Sequence, residues 1–160
     1  MIFATVGTQL PFDRLIKGLD EWASSHVDDN IFAQTGNSTY IASNFSCAQS
    51  LAPSEFQYKL VSADLVVAHA GMGTILQCLD LSKPLIIMPR KADLGEHRND
   101  HQIATAEKFK NFETIQVVEN EQELLHALDN PPGNNGSDVS SKNVNLERLI
   151  NEIRTFIEKD

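Results

Sequence analysis

The stretch VVAHAGMGTILQC at positions 66–78 holds residues whose types and spacing suit the binding of an anion. A run of β-branched residues ends at His69, glycines follow at positions 71 and 73, and Thr74 precedes residues with helical spacing. A strand that turns directly into a helix presents unpaired N–H groups and a helix dipole, which together stabilise an anion by about 0.3 to 2 kcal/mol. Glycines let a phosphate approach that backbone closely. The pattern predicts a phosphate site, and simple backbone geometry is the alternative reading of the glycines.

A second turn, formed by Gly7, Thr8 and Gln9, follows the apolar run at residues 2–6 and offers further hydrogen-bond donors. Neither turn matches the G-x-x-x-x-G-K-[ST] loop of ATPases or the G-x-G-x-x-G fingerprint of dinucleotide-binding domains. ATP hydrolysis and NAD-linked redox chemistry therefore lose support. A Ser-His-Asp order and a G-x-S-x-G elbow are also missing, so hydrolysis through a covalent intermediate has no candidate residues.

The third polar cluster is GEHRNDHQ at residues 95–102. His97 and His101 stand four residues apart, and on a helix they could hold a metal ion with Glu96 or Asp100 as a third ligand. The usual H-E-x-x-H pattern has glutamate directly after the first histidine, where this chain has Arg98. A metal-dependent hydrolase is therefore kept only as an alternative.

The end of the same cluster has a second interpretation. Asp100, His101 and Gln102 form a polar fringe whose side chains could hydrogen-bond sugar hydroxyls. Helix capping by Asn99 or Asp100 is the simpler explanation of the same residues.

Apolar strand patterns alternate with amphipathic helical patterns along the chain. Strands are predicted over residues 2–6, 31–35, 39–43, 64–68, 85–88 and 114–118, and helices from Pro11 onward and over residues 54–62, 73–81, 97–109 and 121–128. This alternation indicates an α/β fold, with a Rossmann-like, mostly parallel sheet and helices on both faces. Ligands of such sheets bind beyond the carboxyl ends of the strands, where Gly7, His69 and Pro89 lie.

The chain divides into three segments by composition. The Rossmann-like domain is expected over residues 1–129, and residues 130–143, NPPGNNGSDVSSKN, predict a flexible tether. Residues 144–160 carry apolar side chains at helical intervals and predict a C-terminal amphipathic helix. Such a helix either packs on its own domain or reaches another protein.

Charge and hydropathy exclude several classes of function. The formal net charge of -9 argues against nucleic-acid binding and against attraction to anionic membranes. The sequence has no stretch of about 20 apolar residues, and its first residues, MIFATVGTQ, lack a basic region, so a cytoplasmic location is expected. Cys47 and Cys78 form no C-x-x-C pair, so neither a disulfide framework nor a zinc site is expected.

The string HAGMGTILQCLDLSKPLIIMPR followed by NDHQ, with TVGTQ and FDRL near the N-terminus, resembles the C-terminal, donor-binding domain of family-28 glycosyltransferases. The likeness covers about residues 1–128. More closely, the chain is similar to the small stand-alone members of this group. These are the soluble subunit of the two-part UDP-N-acetylglucosamine transferase of dolichol-linked oligosaccharide synthesis and its bacterial counterparts in exopolysaccharide and capsule synthesis. The resemblance implies half of a GT-B fold, a UDP-sugar as donor substrate and no required metal.

The resemblance also implies roles for particular residues. The HAG-type turn would hold the UDP diphosphate, the first turn would lie near the phosphates, and the NDHQ cluster would approach the donor sugar. In this sequence the three sets are His69, Gly71, Met72, Gly73 and Thr74; Gly7, Thr8 and Gln9; and Asp100, His101 and Gln102. Relatives commonly hold the ribose with a carboxylate on the helix after the HAG turn, and here Gln77 takes that place. Residues 34–45 are the candidate region for reading uracil.

A complete enzyme of this architecture has two Rossmann-like domains with the active site between them. The resemblance therefore implies an inverting glycosyltransferase of two components, whose membrane-associated partner subunit supplies the general base and the site for a lipid-linked acceptor. No catalytic base is assigned in this chain, which the partner would recruit to the cytoplasmic membrane face. A non-catalytic enhancer that stabilises a partner transferase is the main alternative.

Overall fold

Six strands and five helices alternate along residues 1–133, the part of the chain that the computed structural model describes. The strands are β1 (Ile2–Thr5), β2 (Ile31–Gln34), β3 (Ser46–Ala48), β4 (Leu65–His69), β5 (Leu85–Met88) and β6 (Ile115–Val117). The helices are α1 (Asp13–Ser24), α2 (Pro53–Ser62), α3 (Met72–Asp80), α4 (His101–Phe109) and α5 (Glu121–Asp129). The predicted helix at 144–160 and most of the predicted tether lie outside the described residues.

All six strands pair in parallel, in the order β3-β2-β1-β4-β5-β6. This order confirms the Rossmann-like α/β fold, and it places the topological switch point between β1 and β4, where such sheets bind their ligands. The register pairs Thr5 with Ala68, so the turns that follow β1 and β4 start side by side. The two turns singled out in the sequence therefore flank the switch point.

The sheet is buried on both faces, because alternate strand residues feed two separate hydrophobic clusters. Val67 belongs to the cluster that α1 and α5 cover, and Val66 to the cluster that α2, α3 and α4 cover. Burial on both faces explains why the strands read as nearly continuous apolar runs. Within residues 1–133, no helix combines the length and the apolar character that a bilayer crossing requires.

The described chain leaves the sheet at the edge opposite to the switch-point turns. Gly133 lies next to Pro84 and Thr114, which immediately precede β5 and β6. In a parallel sheet the amino ends of all strands share one edge. The residues after 133 therefore start from the amino edge, whereas the predicted site lies at the carboxyl edge.

The predicted strand at residues 39–43 is wrong, because this segment is a loop held against α1 and the third strand is Ser46–Ala48. Asp13 accepts hydrogen bonds from the Ser38 hydroxyl (2.5 Å) and from the backbone amide (3.0 Å) and hydroxyl (2.5 Å) of Thr39. Side chains of α1 thus compete with strand pairing for the backbone of this segment.

A second carboxylate of α1 holds the rest of the loop. Asp20, only 4% exposed, accepts hydrogen bonds from the Tyr40 hydroxyl (2.7 Å) and from the backbone amides of Ser43 (3.1 Å) and Asn44 (2.9 Å). Burial raises the pKa of Asp20, but these hydrogen bonds together outweigh it and hold the pKa below the ordinary value of 3.8. The ionised carboxylate is therefore the form that fits the loop.

Asp20 should make the stability of the domain sensitive to acid. A carboxyl group whose pKa is lowered by folding contributes stability above its unfolded pKa, and the contribution is lost as pH falls through the folded pKa. We expect Asp20→Asn to lower the free energy of unfolding at pH 7 by about 1 to 3 kcal/mol, and to reduce its further fall below pH 4. Urea unfolding at pH 7 and pH 3 measures both effects. The exposed Asp28→Asn is the control, and equal acid sensitivity of Asp20→Asn and wild type would contradict the assignment.

The first helix starts later than the sequence pattern suggests. Pro11 was expected in the first helical turn, but α1 begins at Asp13. The carbonyl oxygens of Leu10 and Pro11 accept hydrogen bonds from Arg90 at 2.6 Å and 3.0 Å. These contacts hold residues 10 and 11 in the loop between β1 and α1, which lengthens the turn at the switch point.

Candidate functional site

Three glycine turns meet at the carboxyl edge of the sheet. A Cβ atom built on Gly36, after β2, would lie 2.5 Å from the carbonyl oxygen of Gly7, after β1. One built on Gly7 would lie 2.9 Å from Cε1 of His69, and one built on Gly71 only 2.2 Å from Nε2 of the same ring. The turn after β2 therefore packs on the backbone of the turn after β1, and the His69 ring packs between the turns after β1 and β4. These contacts are so close that only glycine fits.

Helix α3 begins at this junction with its first amides free. Gly71 is the N-cap residue, no side chain caps the helix, and the Ile75 amide makes the first helical bond, to the Gly71 carbonyl oxygen at 3.2 Å. The amides of residues 72–74 consequently have no partner within the helix. Gly73 is exposed with nothing within 4 Å of a Cβ position, and half-buried Thr74 adds a hydroxyl on the same turn. An anion can approach these amides without meeting a side chain.

His69 is partly buried between the two glycine turns. Its Nδ1 lies 3.4 Å from the carbonyl oxygen of Thr5, and Nδ1 donates in this contact because a carbonyl oxygen only accepts. Burial, and next the positive charge of Arg90, lower the pKa of His69 to about 4. The ring is therefore neutral at pH 7, with Nε2 as an acceptor. The neutral ring fills the space between the turns after β1 and β4. Nε2 could donate a hydrogen bond to a phosphate only if the ring gained a second proton.

The first turn projects two exposed polar side chains, those of Thr8 and Gln9. Gly7 has a φ of +73°, a left-handed conformation that lets the chain turn sharply after β1. The carbonyl oxygen of Gln9 accepts a hydrogen bond from the Asn37 side-chain amide at 2.5 Å. This bond ties the turn after β1 to the turn after β2, and it leaves both exposed side chains directed away from the core.

Two residues of the predicted sugar-facing fringe close the loop after β5. Asp100 accepts a hydrogen bond from the Ala92 amide (3.0 Å), and the side-chain oxygen of Gln102 accepts one from the Arg90 amide (3.2 Å). His101 is exposed at the start of α4. Within residues 1–133, the two donors of the Gln102 side-chain NH₂ have no hydrogen-bond partner. On α3, Gln77 is also exposed, as a ribose contact requires.

The helix predicted to carry both His97 and His101 is wrong, because the two histidines do not share a helix. Helix α4 begins at His101, four residues later than predicted, and His97 lies in the preceding loop with its Nδ1 3.1 Å from Asn99. The Glu96 carboxylate is paired with Arg14 (2.8 Å) instead of being free to bind an ion. Among residues 1–133, no three His, Cys, Asp or Glu side chains are placed to hold a metal ion.

Sequence reasoning missed an ion pair that supports the turns from behind. Arg14 donates to both carboxylate oxygens of Glu96, at 2.8 Å and 2.9 Å, and to the carbonyl oxygens of Pro89 (3.1 Å) and Glu119 (2.8 Å). One side chain of α1 thus ties together the loops after β5 and β6. Its partner lies 82 positions along the chain, so no local pattern identifies the pair.

The sheet order and the glycine turns at its switch point define a Rossmann-like domain whose carboxyl edge is shaped to receive an anionic group. The sequence model of the glycosyltransferase family 28 C-terminal domain matches residues 1–135. The chain belongs to this family, as its HAG-x-G-T and N-D-H-Q motifs indicated.

Similar sequences carry the name UDP-N-acetylglucosamine transferase subunit ALG13. The human protein is 30% identical over 108 residues, which cover 61% of this chain and 9% of that protein. The Candida albicans protein is 30% identical over 90 residues, covering 56% and 28%, and the Kluyveromyces lactis protein 39% over 67 residues, covering 41% and 32%. The matches thus span less than a third of the length of each of these relatives.

Three solved structures share the fold. The glycotransferase of kitacinnamycin aligns with a TM-score of 0.63 at 20% identity, over 91% of this chain and 38% of that one. The NMR structure of ALG13 gives 0.61 at 20% identity, over 92% and 93%. MurG of Acinetobacter baumannii gives 0.55 at 19% identity, over 79% and 39%. At these identities the likeness concerns the fold alone, which is that of GT-B glycosyltransferases.

Proposed function

We propose that this chain is the UDP-sugar-binding half of a glycosyltransferase whose active site is completed by a second polypeptide. The meeting of three glycine turns at the uncapped start of α3 carries the proposal, because it offers a diphosphate a surface of free backbone amides. Membership of the family 28 domain supports sugar transfer. The relatives named as subunits of a UDP-N-acetylglucosamine transferase support that donor and an assembly of more than one chain.

In this proposal the diphosphate lies on the amides of residues 72–74, with the Thr74 hydroxyl beside it and the turn at residues 7–9 facing it. Gln77 contacts the ribose, and Asp100, His101 and Gln102 face the sugar. Residues 34–45 are the candidate region for the uracil base, and Asp13 and Asp20 hold part of that segment against α1. The diphosphate thus contacts mainly the backbone, whereas side chains hydrogen-bond the hydroxyl groups of the ribose and the sugar.

The contribution of this half to catalysis is electrostatic. Amides aimed at the diphosphate stabilise the negative charge that grows on UDP as the glycosidic bond breaks, and this needs no metal. We assign the base and the lipid-linked acceptor site of this inverting reaction to a membrane-associated partner, which recruits the chain to the cytoplasmic face of the membrane.

Binding of UDP by the isolated chain tests the proposal. We expect calorimetry to detect UDP binding, and NMR to show the largest amide shifts at residues 72–74. Thr74→Val should weaken UDP binding by about tenfold or more, because a hydrogen bond to a charged group contributes roughly 1.5 to 3 kcal/mol net of water. Thr105→Val is the matched control, since the Thr105 hydroxyl bonds the carbonyl oxygen of His101 within α4.

An isolated chain that does not bind UDP would contradict this function. It would favour the alternative of a non-catalytic enhancer, which uses the same fold to stabilise a partner transferase. The two also differ in a reconstituted complex, where an enhancer should tolerate substitutions at the glycines of the HAG turn.

The partner is expected to depend on the sequence after residue 133. Residues 144–160 carry the predicted amphipathic stripe, which needs an apolar surface to cover it. Deleting residues 134–160 should therefore release the partner in co-purification while residues 1–133 keep their unfolding midpoint. A truncated chain that still retains its partner would assign the contact to the described domain.

A further inference from the structure

Arg90 is a buried cation just after β5, and its side-chain hydrogen bonds within residues 1–133 all go to backbone oxygens. Its side chain is 1% exposed. One terminal nitrogen donates to the carbonyl oxygens of Leu10 (2.6 Å), Pro11 (3.0 Å) and Glu96 (2.9 Å), and the other to that of Val6 (2.6 Å). Among residues 1–133, no carboxylate hydrogen-bonds the guanidinium, which is unusual because buried charges are normally paired.

These acceptors bracket the turn at residues 7–9. Val6 precedes the turn, Leu10 and Pro11 follow it, and the guanidinium also lies over the ring of Phe12, with 4.8 Å between its central carbon and the ring centroid. A planar fork with two terminal nitrogens reaches both ends of the turn at once, which a lysine ammonium does less well. The position of the turn after β1 therefore depends on Arg90.

The nearest carboxylate is already engaged elsewhere. Glu96 receives two hydrogen bonds from Arg14 and one from the Lys91 amide (2.9 Å). The cluster of Arg14, Arg90 and Glu96 thus holds two guanidinium groups and one carboxylate, all of them largely buried. The charges of these three side chains sum to one positive charge, which lies beneath the glycine turns.

The charge of Arg90 acts on His69, which lies at the switch point. After burial, the Arg90 charge is the next cause of the lowered pKa of His69, whose ring touches the backbone of Gly7 and Gly71. A field that disfavours a proton on this ring favours an anion beside the same turns, and it is screened little because the cation is buried. None of the residues assigned to the UDP-sugar is a lysine or an arginine.

We propose that Arg90 supplies the positive charge of the diphosphate site from beneath, by holding the turn at residues 7–9 and acting through it without touching the ligand. The proposal rests on the function proposed above. Arg90 is thus a positioning residue for the donor, and Glu96 lowers the net charge of the same cluster. Substitutions at the two positions should therefore affect an anionic ligand in opposite directions, although both remove buried hydrogen bonds.

The test compares UDP affinity, by calorimetry on the full chain, with the thermal midpoint of each variant. Arg90→Gln should weaken UDP by at least tenfold, and Arg90→Lys, which restores the charge without the fork, should recover part of that loss. Glu96→Gln should leave UDP affinity unchanged or make it up to several-fold tighter, although all three variants melt earlier. Lys110→Met, which removes an exposed charge at the far end of α4, is the control and should bind UDP as wild type does.

A loss of UDP affinity in Glu96→Gln as large as in Arg90→Gln would overturn the proposal, because it would reduce the cluster to a packing role. Wild-type affinity in Arg90→Gln would also overturn it. Should Arg90→Gln fail to fold, Glu96→Gln decides alone, since only an electrostatic role predicts retained affinity with lowered stability. In Arg90→Gln, which removes the charge, the affinity for uridine, followed by ligand-observed NMR, should fall less than the affinity for UDP. A wild-type chain without UDP affinity would instead reject the proposed function itself.

Discussion

Gly73→Val should abolish UDP binding and sugar transfer while the free energy of unfolding stays within about 1 kcal/mol of wild type. Gly73 is exposed in the first turn of α3, and nothing lies within 4 Å of a Cβ at this position. The fold has room for the side chain, and valine is no worse than glycine in a helix. A ligand has no such room, because the isopropyl group stands where a diphosphate would reach the amides of residues 72–74.

The expected loss is large, because removing one well-placed donor to developing charge costs roughly 3 to 4 kcal/mol of barrier. Calorimetry with UDP and a transfer assay with the reconstituted partner measure it, and Gly73→Ala should give an intermediate loss. Gly71 suits this test poorly, since its Cβ would collide with His69 and disturb the fold as well. Near-wild-type binding and transfer by Gly73→Val would reject the diphosphate assignment and favour an enhancer role.

Gly36→Ala should destabilise the domain by about 3 kcal/mol or more. Gly36 has a φ of +55°, and a left-handed conformation costs a residue with a side chain about 1 to 2 kcal/mol. Its Cβ would also lie 2.5 Å from the Gly7 carbonyl oxygen, a backbone atom that cannot rotate away. The turn after β1 must then move, so UDP binding should weaken together with stability.

Gly95→Ala is the matched control for this effect. Gly95 has a similar φ of +69°, but nothing lies within 4 Å of its Cβ position, so only the conformational cost of about 1 to 2 kcal/mol remains. Urea unfolding measures the loss of stability in both variants, and the difference between them is the cost of the steric clash at residue 36 beyond the conformational strain. Equal destabilisation would mean that the contact between the turns after β1 and β2 contributes little to the stability of the domain.

Most of the fold was predictable because its strands are local apolar runs. LVVAH and LIIM are buried on both faces, and their β-branched residues need no information from distant parts of the chain. The third strand was not predictable in this way. Residues 39–43 alternate like a strand, but Asp13 and Asp20, 26 and 23 positions earlier, accept hydrogen bonds from the first and last backbone amides of this segment. The short segment Ser46–Ala48 pairs at the edge of the sheet instead.

The candidate site was also predictable only where it depends on local sequence signals. The glycine spacing after β4 is a local signal, and the structure brings Gly71 and Gly7 against the same His69 ring as the switch-point argument expects. The proton on Nδ1 of His69 and its lowered pKa depend on burial and on Arg90, which only the folded chain brings together. Whether the predicted residues bind a UDP-sugar stays a prediction for the experiments above.

The exit of the described chain at Gly133, beside Pro84 and Thr114, has a consequence for assembly. A protein that binds the segment after residue 133 and also completes the cleft is attached at two places, because that segment starts at one margin of the sheet and the cleft lies at the opposite margin. Such an attachment is bivalent, and its overall affinity follows the effective concentration that the connecting segment sets. Lengthening that connection with glycine and serine should loosen the complex gradually, by a modest factor for each doubling, whereas shortening it below the distance between the two margins should abolish simultaneous engagement.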